Sequence, residues 1–295
     1  MLLFDKASRV GFIGAGAVGG SIAVCMHNAG YRVVGVASRT KASAERFAAR
    51  ILGCEVKDSP QAVVDDCDLV VVSTSDDAIR QVASGVTWRT GQSVIHCSGA
   101  TSLDVFDHAA SQGASPGAFH PIQAFSSVEN GVKSIPGTTF GIEGDDAMRE
   151  SLRQLALDIG GVPIFVDAKD KALYHLSAVM LGNLLTCLAG AAAQLWEQMG
   201  YTRADGVKAL VPMIRGVAFN LDQSGVPASV AGPYVRGDFG TIRKHLETLR
   251  ESAPEVLPLY RELARTAVPF AVEKGAYGEP TAQEIYRLID QFDDR

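Results

Sequence analysis

The chain of 295 residues is long for one domain and short for three. A hydrophobic fraction of 47% with 20% charged residues is that of a globular protein able to bury a real core. A net charge of -6 argues against a nucleic-acid partner, because phosphate binding wants clustered Lys and Arg. The cysteines, at positions 25, 54, 67, 97 and 187, are odd in number and lack C-x-x-C or metal-ligand spacing. They read as buried thiols in a reducing compartment, with no metal site expected. Asp5, Lys6 and Arg9 near the start leave no signal peptide visible, so a cytoplasmic protein is expected.

In chain order, apolar runs of strand length fall at 9–14, 31–37, 68–74, 92–98, 117–120, 138–142 and 162–166. Helix-like patterns separate most of them, at 17–29, 41–51, 76–84, 101–110 and 145–159. Solid Val/Ile strands alternating with helices predict an α/β domain, with a mostly parallel, doubly wound sheet covered on both faces. After Val166 the pattern is helical only, at 168–199, 203–222, 239–250, 255–274 and 281–292. The expected domains are therefore 1–166 and an all-α domain over 167–295. Leu176 to Trp196 carries no charge and is long enough to span a bilayer. It holds Asn183, Thr186 and Gln194, has no basic flank and no second such segment accompanies it, so it is read as a buried helix and not a membrane span. It is apolar nearly all round, more than a small helical domain buries alone, which predicts a homodimer.

The first strand runs into "GAGAVG", where Gly14, Gly16 and Gly19 match G-x-G-x-x-G across Ala15, Ala17 and Val18. Alone the pattern is weak, and the same glycines can make only a turn. Here it follows a strand, opens a helix and precedes a second strand, the context of a dinucleotide-binding loop. The glycines then serve a tight turn, backbone approach to the pyrophosphate, and helix–sheet packing. The second strand ends in Ser38, Arg39 and Thr40, with no carboxylate for a ribose 2′-hydroxyl. An Arg with hydroxyls suits a 2′-phosphate, so NADP(H) is expected. The competing reading makes Arg39 a solvated residue at the start of a helix.

Ser73, Thr74 and Ser75 end the next long strand and are expected to line the cofactor's path. Cys97 and Ser98 end the following one, in "CSGATS", where Gly99 lets backbone come near the nicotinamide or substrate. In "HPIQAF" His120 sits beside Pro121 and is either a site residue or a loop histidine capping a strand end. Lys171 and His175 are four apart and share a helix face, with Asn183 on its flank. Ala178, Gly182 and Ala189 form a small-residue stripe beside them. Lys171 and His175 are acid/base candidates or, equally, a solvated lysine and a hydrogen-bonded core histidine. In "GPYVRGDFGTIRKHL", Arg236 is either a carboxylate clamp or part of a turn with Asp238 as the cap of the next helix; the second is preferred.

The two halves resemble the 6-phosphogluconate dehydrogenase-like and β-hydroxyacid dehydrogenase superfamily. More closely, "HCSGATSLDVF", "FHPIQAF", "KALYHLSAVMLGNLL" and "GPYVRGDFGTIRKHLETL" resemble predicted NADP-dependent oxidoreductases that pair a Rossmann-like domain with a C-terminal domain of unknown function. The resemblance covers almost the whole chain and implies a fold and a cofactor, not a substrate. Ketopantoate reductase and pyrroline-5-carboxylate reductase are more distant relatives. A Lys on the equivalent helix of the superfamily often serves as acid/base, with an Asn four residues later. Here that later position is His175, and Asn183 lies eight further on. The expected activity is NADPH-dependent hydride transfer to a small carbonyl or imine acid, such as a 2-keto acid or a cyclic imine carboxylate. The alternative is a non-catalytic NADP(H)-binding sensor or scaffold.

Overall fold

The computed structural model describes residues 2–293. The chain divides into two compact units, Met1–Asn183 and Leu184–Arg295. The first holds an eight-stranded sheet: β1 (Arg9–Ile13), β2 (Arg32–Ala37), β3 (Glu55–Val56), β4 (Leu69–Val72), β5 (Ser93–His96), β6 (Ser115–Pro121), β7 (Thr139–Gly144) and β8 (Val162–Phe165). Their order is β3-β2-β1-β4-β5-β6-β7-β8, and every neighbouring pair is parallel except β6 with β7. The order reverses on either side of β1, which opens a crevice at the carboxyl ends of the strands.

The strands alternate their buried side chains between two cores. Phe12, Val71, Ile95, Phe119 and Phe140 enter one face; Ile13, Val70, Val72 and Val94 enter the other. Helices cover both: α1 (Ala17–Asn28), α2 (Lys41–Ala48), α3 (Pro60–Asp66), α4 (Asp76–Ser84), α5 (Asp107–Ser111), α6 (Val128–Ser134) and α7 (Asp146–Asp158). The sequence reading lacked β3, α3 and α6. A two-residue edge strand shows no periodicity. The two helices did carry start signals: Ser59 accepts from Ala62 N–H ahead of Pro60, and Ser127 accepts from Asn130 N–H.

The sheet ends at Phe165, yet the first unit continues to Asn183, past the expected boundary at 166. It takes in α8 (Lys171–Val179), whose Lys171 and Tyr174 side chains bond back to the sheet residues Glu143 and His120. The expected single helix over 168–199 is interrupted: a π-helical turn, Met180–Leu184, separates α8 from α9 (Leu185–Gln194). The second unit also contains α10 (Arg203–Ser224), α11 (Pro233–Arg236), α12 (Phe239–Ser252), α13 (Leu257–Glu273) and α14 (Glu279–Asp290). Its core gathers Ile242, Leu246, Leu257, Val268, Ile285 and Leu288.

The buried-helix expectation for 176–196 is corrected in the single chain. The stretch Ala168–Met199 is long and apolar enough to cross a membrane, but only 6% of its most apolar window is buried. Leu173, Leu176, Met180, Leu181 and Leu184 are all exposed. Periodicity identified a helix, but an all-round apolar helix does not reveal which chain covers it.

Candidate active site

The glycine loop sits at the carboxyl end of β1, with its three glycines in three different environments. Gly14 has φ +109°, a conformation that L side chains rarely adopt, and its N–H donates to the Ala37 carbonyl (2.8 Å). A Cβ there would lie 2.6 Å from the Ser73 carbonyl oxygen. A Cβ on Gly19 would run into the Ser73 side chain, so its absence is what lets α1 pack against the end of β4. Gly16 is different: it is exposed, and nothing lies within 4 Å of where its Cβ would be. It is the N-cap of α1, without a side-chain cap and with no acid in the first turn. The N-terminus of this twelve-residue helix is thus without a side-chain cap, and the helix dipole there favours an anion. Ala15, Ala17 and Val18 complete the loop and are half-buried.

Arg39 lies beyond the end of β2, exposed, with no hydrogen bond or ion pair among the described residues. Ser38 is half-buried beside it, and the Thr40 hydroxyl donates to Ser43 (2.8 Å). Ser73 is locked to the loop, its hydroxyl donating to the Gly14 carbonyl (3.2 Å). Thr74 and Ser75 lead into α4, with Ser75 at the cap position but making no side-chain cap.

The next loop is held by Ser98. Its hydroxyl accepts from Ala100 N–H (3.3 Å) and Thr101 N–H (3.0 Å) and lies 2.8 Å from both Asp76 Oδ2 and Thr101 Oγ1. All its capacity goes into tying the loop after β5 to the start of α4. Burial pushes the Cys97 thiol up to about 12, which makes it a packing group and not a nucleophile.

The loop that Ser98 fixes carries Gly99, and two side chains converge on it. A Cβ on Gly99 would lie 2.6 Å from His175 Nδ1 and 2.8 Å from His120 Nε2. The two imidazole centroids are 5.9 Å apart, edge to face. His175 Nδ1 is buried without a hydrogen-bond partner. On its other side His120 Nδ1 is 2.7 Å from the Tyr174 hydroxyl. Burial, with the charges of His175 and Lys171, pushes His120 down to about 4, against a smaller opposing effect of Asp76. His120 is therefore neutral at neutral pH. It opens with His175 onto a cleft of about 860 Å³, also lined by Gln123, Phe125, Ser177 and Asn183.

Lys171 is placed differently. It is buried, with Nζ 2.5 Å from Glu143 Oε2, and does not line the cleft. Glu143 was missed in the sequence, because only antiparallel pairing of β7 with β6 brings it under α8. His96, also missed, is fully buried behind the histidine pair. Its Nδ1 accepts from Ser98 N–H (3.2 Å), its Nε2 has no partner, and burial pushes it down to about 3. Tyr174 is the third missed residue. It stood within the helix that was singled out, but only the fold shows that it meets His120. In the second unit Asp238 caps α12 through Thr241 N–H (3.0 Å) and lies 3.8 Å from Arg236, the turn-and-cap arrangement preferred from sequence.

Comparison with known proteins matches residues 4–121 to a Rossmann-like domain and residues 138–267 to a domain of unknown function, DUF2520. No curated protein matches the sequence. Among solved structures, a Bacteroides fragilis protein named as a candidate NADP oxidoreductase is 24% identical, with a TM-score of 0.72 over 89% of this chain and 98% of its own. A reductive aminase from Aspergillus terreus, in complex with NADPH and ethyl levulinate, is 19% identical, with a TM-score of 0.65 over 97% and 99%. A 1-pyrroline-5-carboxylate reductase from Streptococcus pyogenes is 15% identical, with a TM-score of 0.60 over 97% and 98%. At these identities the likeness establishes the fold. The DUF2520 match begins before β7, so it takes in the last two strands of the sheet together with α8 and most of the helices after it. The chain thus joins a segment that matches a Rossmann-like domain to one that matches DUF2520.

Proposed function

We propose that this protein is an NADPH-dependent reductase of small carbonyl or imine compounds. The observation that carries this reading is the uncapped N-terminus of α1 at an open Gly16, with a free, exposed Arg39 at the end of the neighbouring strand β2. The residues present fit the cofactor. Gly14 to Gly19 would hold the pyrophosphate, Arg39 with Ser38 and Thr40 the 2′-phosphate, and Ser73, Thr74 and Ser75 the path between the loops. When bound, NADPH supplies the hydride.

The chain's own task is to hold the acceptor and meet the charge that develops on its oxygen or nitrogen. Two imidazoles facing one cleft suit that task, and His120 is kept neutral, so it acts as a hydrogen-bond donor or acceptor and not as a cation. Asn183 and Gln123 add amides to the same cleft. Lys171, neutralised by Glu143, supports the sheet beneath α8 and leaves proton supply to the histidines. The similarity in fold to NADPH-bound reductive aminase and to pyrroline-5-carboxylate reductase is consistent with ketone, keto-acid or cyclic imine acceptors.

The reading includes a homodimer. Gly182 and Gly190 have open space where a Cβ would point, and the exposed leucines of Ala168–Met199 flank them, a surface suited to a second copy of the same helix. The test of function has two stages. Calorimetric titration should show NADPH binding. An NADPH-oxidation screen over 2-keto acids, ketopantoate included, simple ketones with amines, and cyclic imines should then show turnover. Binding without turnover across the screen would favour a sensor role, and no binding would overturn the proposal.

A further inference from the structure

We infer that the acceptor is an uncharged ketone or imine with an apolar body, and that the cleft beside the two histidines rejects a carboxylate on the reacting carbon. The inference rests on the reductase reading and narrows it: 2-keto acids and cyclic imine 2-carboxylates fall outside.

The cleft belongs wholly to the first unit, lined by residues of 120–125, where β6 ends, and of 175–183, in α8 and the π-helical turn after it. Its volume of about 860 Å³ is far more than a small keto acid such as pyruvate fills. It lies in the range of sites for drug-sized molecules, roughly 300–1,000 Å³. Its walls include Pro121, Ile122, Phe125 and Leu181, and among the described residues that line it none is Lys, Arg, Asp or Glu. Apolar walls around a few convergent polar groups suit a ligand with an apolar body and one polar end.

Charge decides the rest. In a 2-keto acid or a cyclic imine 2-carboxylate, the carboxylate is bonded to the carbon that receives the hydride. It is therefore carried in to the imidazoles and cannot stay in the solvent. A carboxylate taken out of water needs a cation beside it. No lysine or arginine lining the cleft offers one, and His120 is neutral at neutral pH. Lys171 spends its charge on Glu143, 2.5 Å away. The carboxylate of Asp76 has no ion-pair partner among the described residues; it accepts from the Ser98 hydroxyl (2.8 Å), and its charge reaches His120. A second negative charge brought to the same place is repelled. A ketone oxygen or an imine nitrogen asks only for a hydrogen bond, which an uncharged imidazole can give. Arg236, the carboxylate clamp considered from the sequence, lies in the second unit, 3.8 Å from Asp238.

The test is calorimetric titration of the full-length protein, with and without saturating NADP+, using phenylacetamide and phenylacetate. The two are alike in shape, differ in charge and accept no hydride. The amide is expected to bind at least tenfold more tightly, about 1.4 kcal/mol. Ser177→Arg, at an exposed cleft position whose hydroxyl donates to the Tyr174 carbonyl of its own helix, adds a cation and should reverse the order. Phenylacetate binding as tightly as the amide in the unaltered protein overturns the inference, and so does binding of neither. An order unchanged in Ser177→Arg overturns it as well, because charge would then not be the cause. Preference for the carboxylate in a protein that binds NADPH and turns over keto acids would leave the reductase reading standing. Preference for the amide in a protein without NADPH affinity would defeat that reading alone, so the two fail separately.

Discussion

Lys171 Nζ lies 2.5 Å from Glu143 Oε2, and the two side chains are only 7% and 10% exposed. A lysine at the start of an apolar helix is thus pinned to a strand, which fastens α8 to the sheet. Removing one partner of such a pair leaves an uncompensated buried charge, typically a loss of about 3–5 kcal/mol. Lys171→Met should therefore lower the unfolding free energy by that order, and Lys171→Met with Glu143→Leu should recover most of it. Denaturant titration decides the matter. A double variant no better than the single would show that the pair is not the fastening.

Arg39 is the residue proposed to set cofactor choice. NADPH is expected to bind at least tenfold more tightly than NADH, about 1.4 kcal/mol, within the worth of one charged hydrogen bond. Arg39→Ala should erase that preference and leave NADH affinity nearly unchanged, because Arg39 makes no hydrogen bond or ion pair among the described residues. Calorimetry with both cofactors reads it directly; equal affinities in the unaltered protein would refute the assignment.

Gly99 is the clearance for the histidine pair. Its Cβ would come within 2.8 Å of both rings, so Gly99→Ala must push them apart. The expectation is loss of most turnover, about 10²-fold or more, with NADPH affinity intact, since the loop of Gly14 to Gly19 is untouched. Full activity in Gly99→Ala would show that the convergence of the rings is incidental.

Acid should destabilise the protein through His96 and His120. Their folded-state values, about 3 and about 4, lie below the 6.5 from which they are pushed down. Between those values the unfolded chain binds more protons than the folded one, so stability falls as pH drops from about 6.5 toward 3. His96→Asn removes one such group and should flatten this acid limb relative to the parent. Thermal midpoints from about pH 7 to about pH 4 measure it. Parallel curves would mean that His96 titrates normally in the fold.

The exposed face of Ala168–Met199 should be covered by a second copy. Light scattering at micromolar concentration is expected to give a dimer mass, and Leu181→Glu, at a leucine 67% exposed in the single chain, should shift it toward monomer. A monomer for the unaltered protein would leave the face without its proposed occupant.

Most of the order of strands and helices, the glycine loop and the absence of a ribose-binding acid were legible in the residues. Each is a local property: solid Val/Ile runs bounded by glycines, the spacing of Gly14, Gly16 and Gly19, and the identity of the residues that end β2. The helix over 168–199 was legible as helix, but its burial was not, because an apolar stretch reports its need for cover and not its source. His120 and His175 were legible as candidates through their chemistry. Their meeting over Gly99, the Tyr174 hydroxyl between β6 and α8, and the Glu143 partner of Lys171 were not. Those contacts join residues 21 to 76 positions apart, and the Glu143 contact depends on β7 running antiparallel to β6. A one-residue change of register in that pairing would turn Glu143 and Gly141 to the opposite face of the sheet, and nothing local in the sequence sets it.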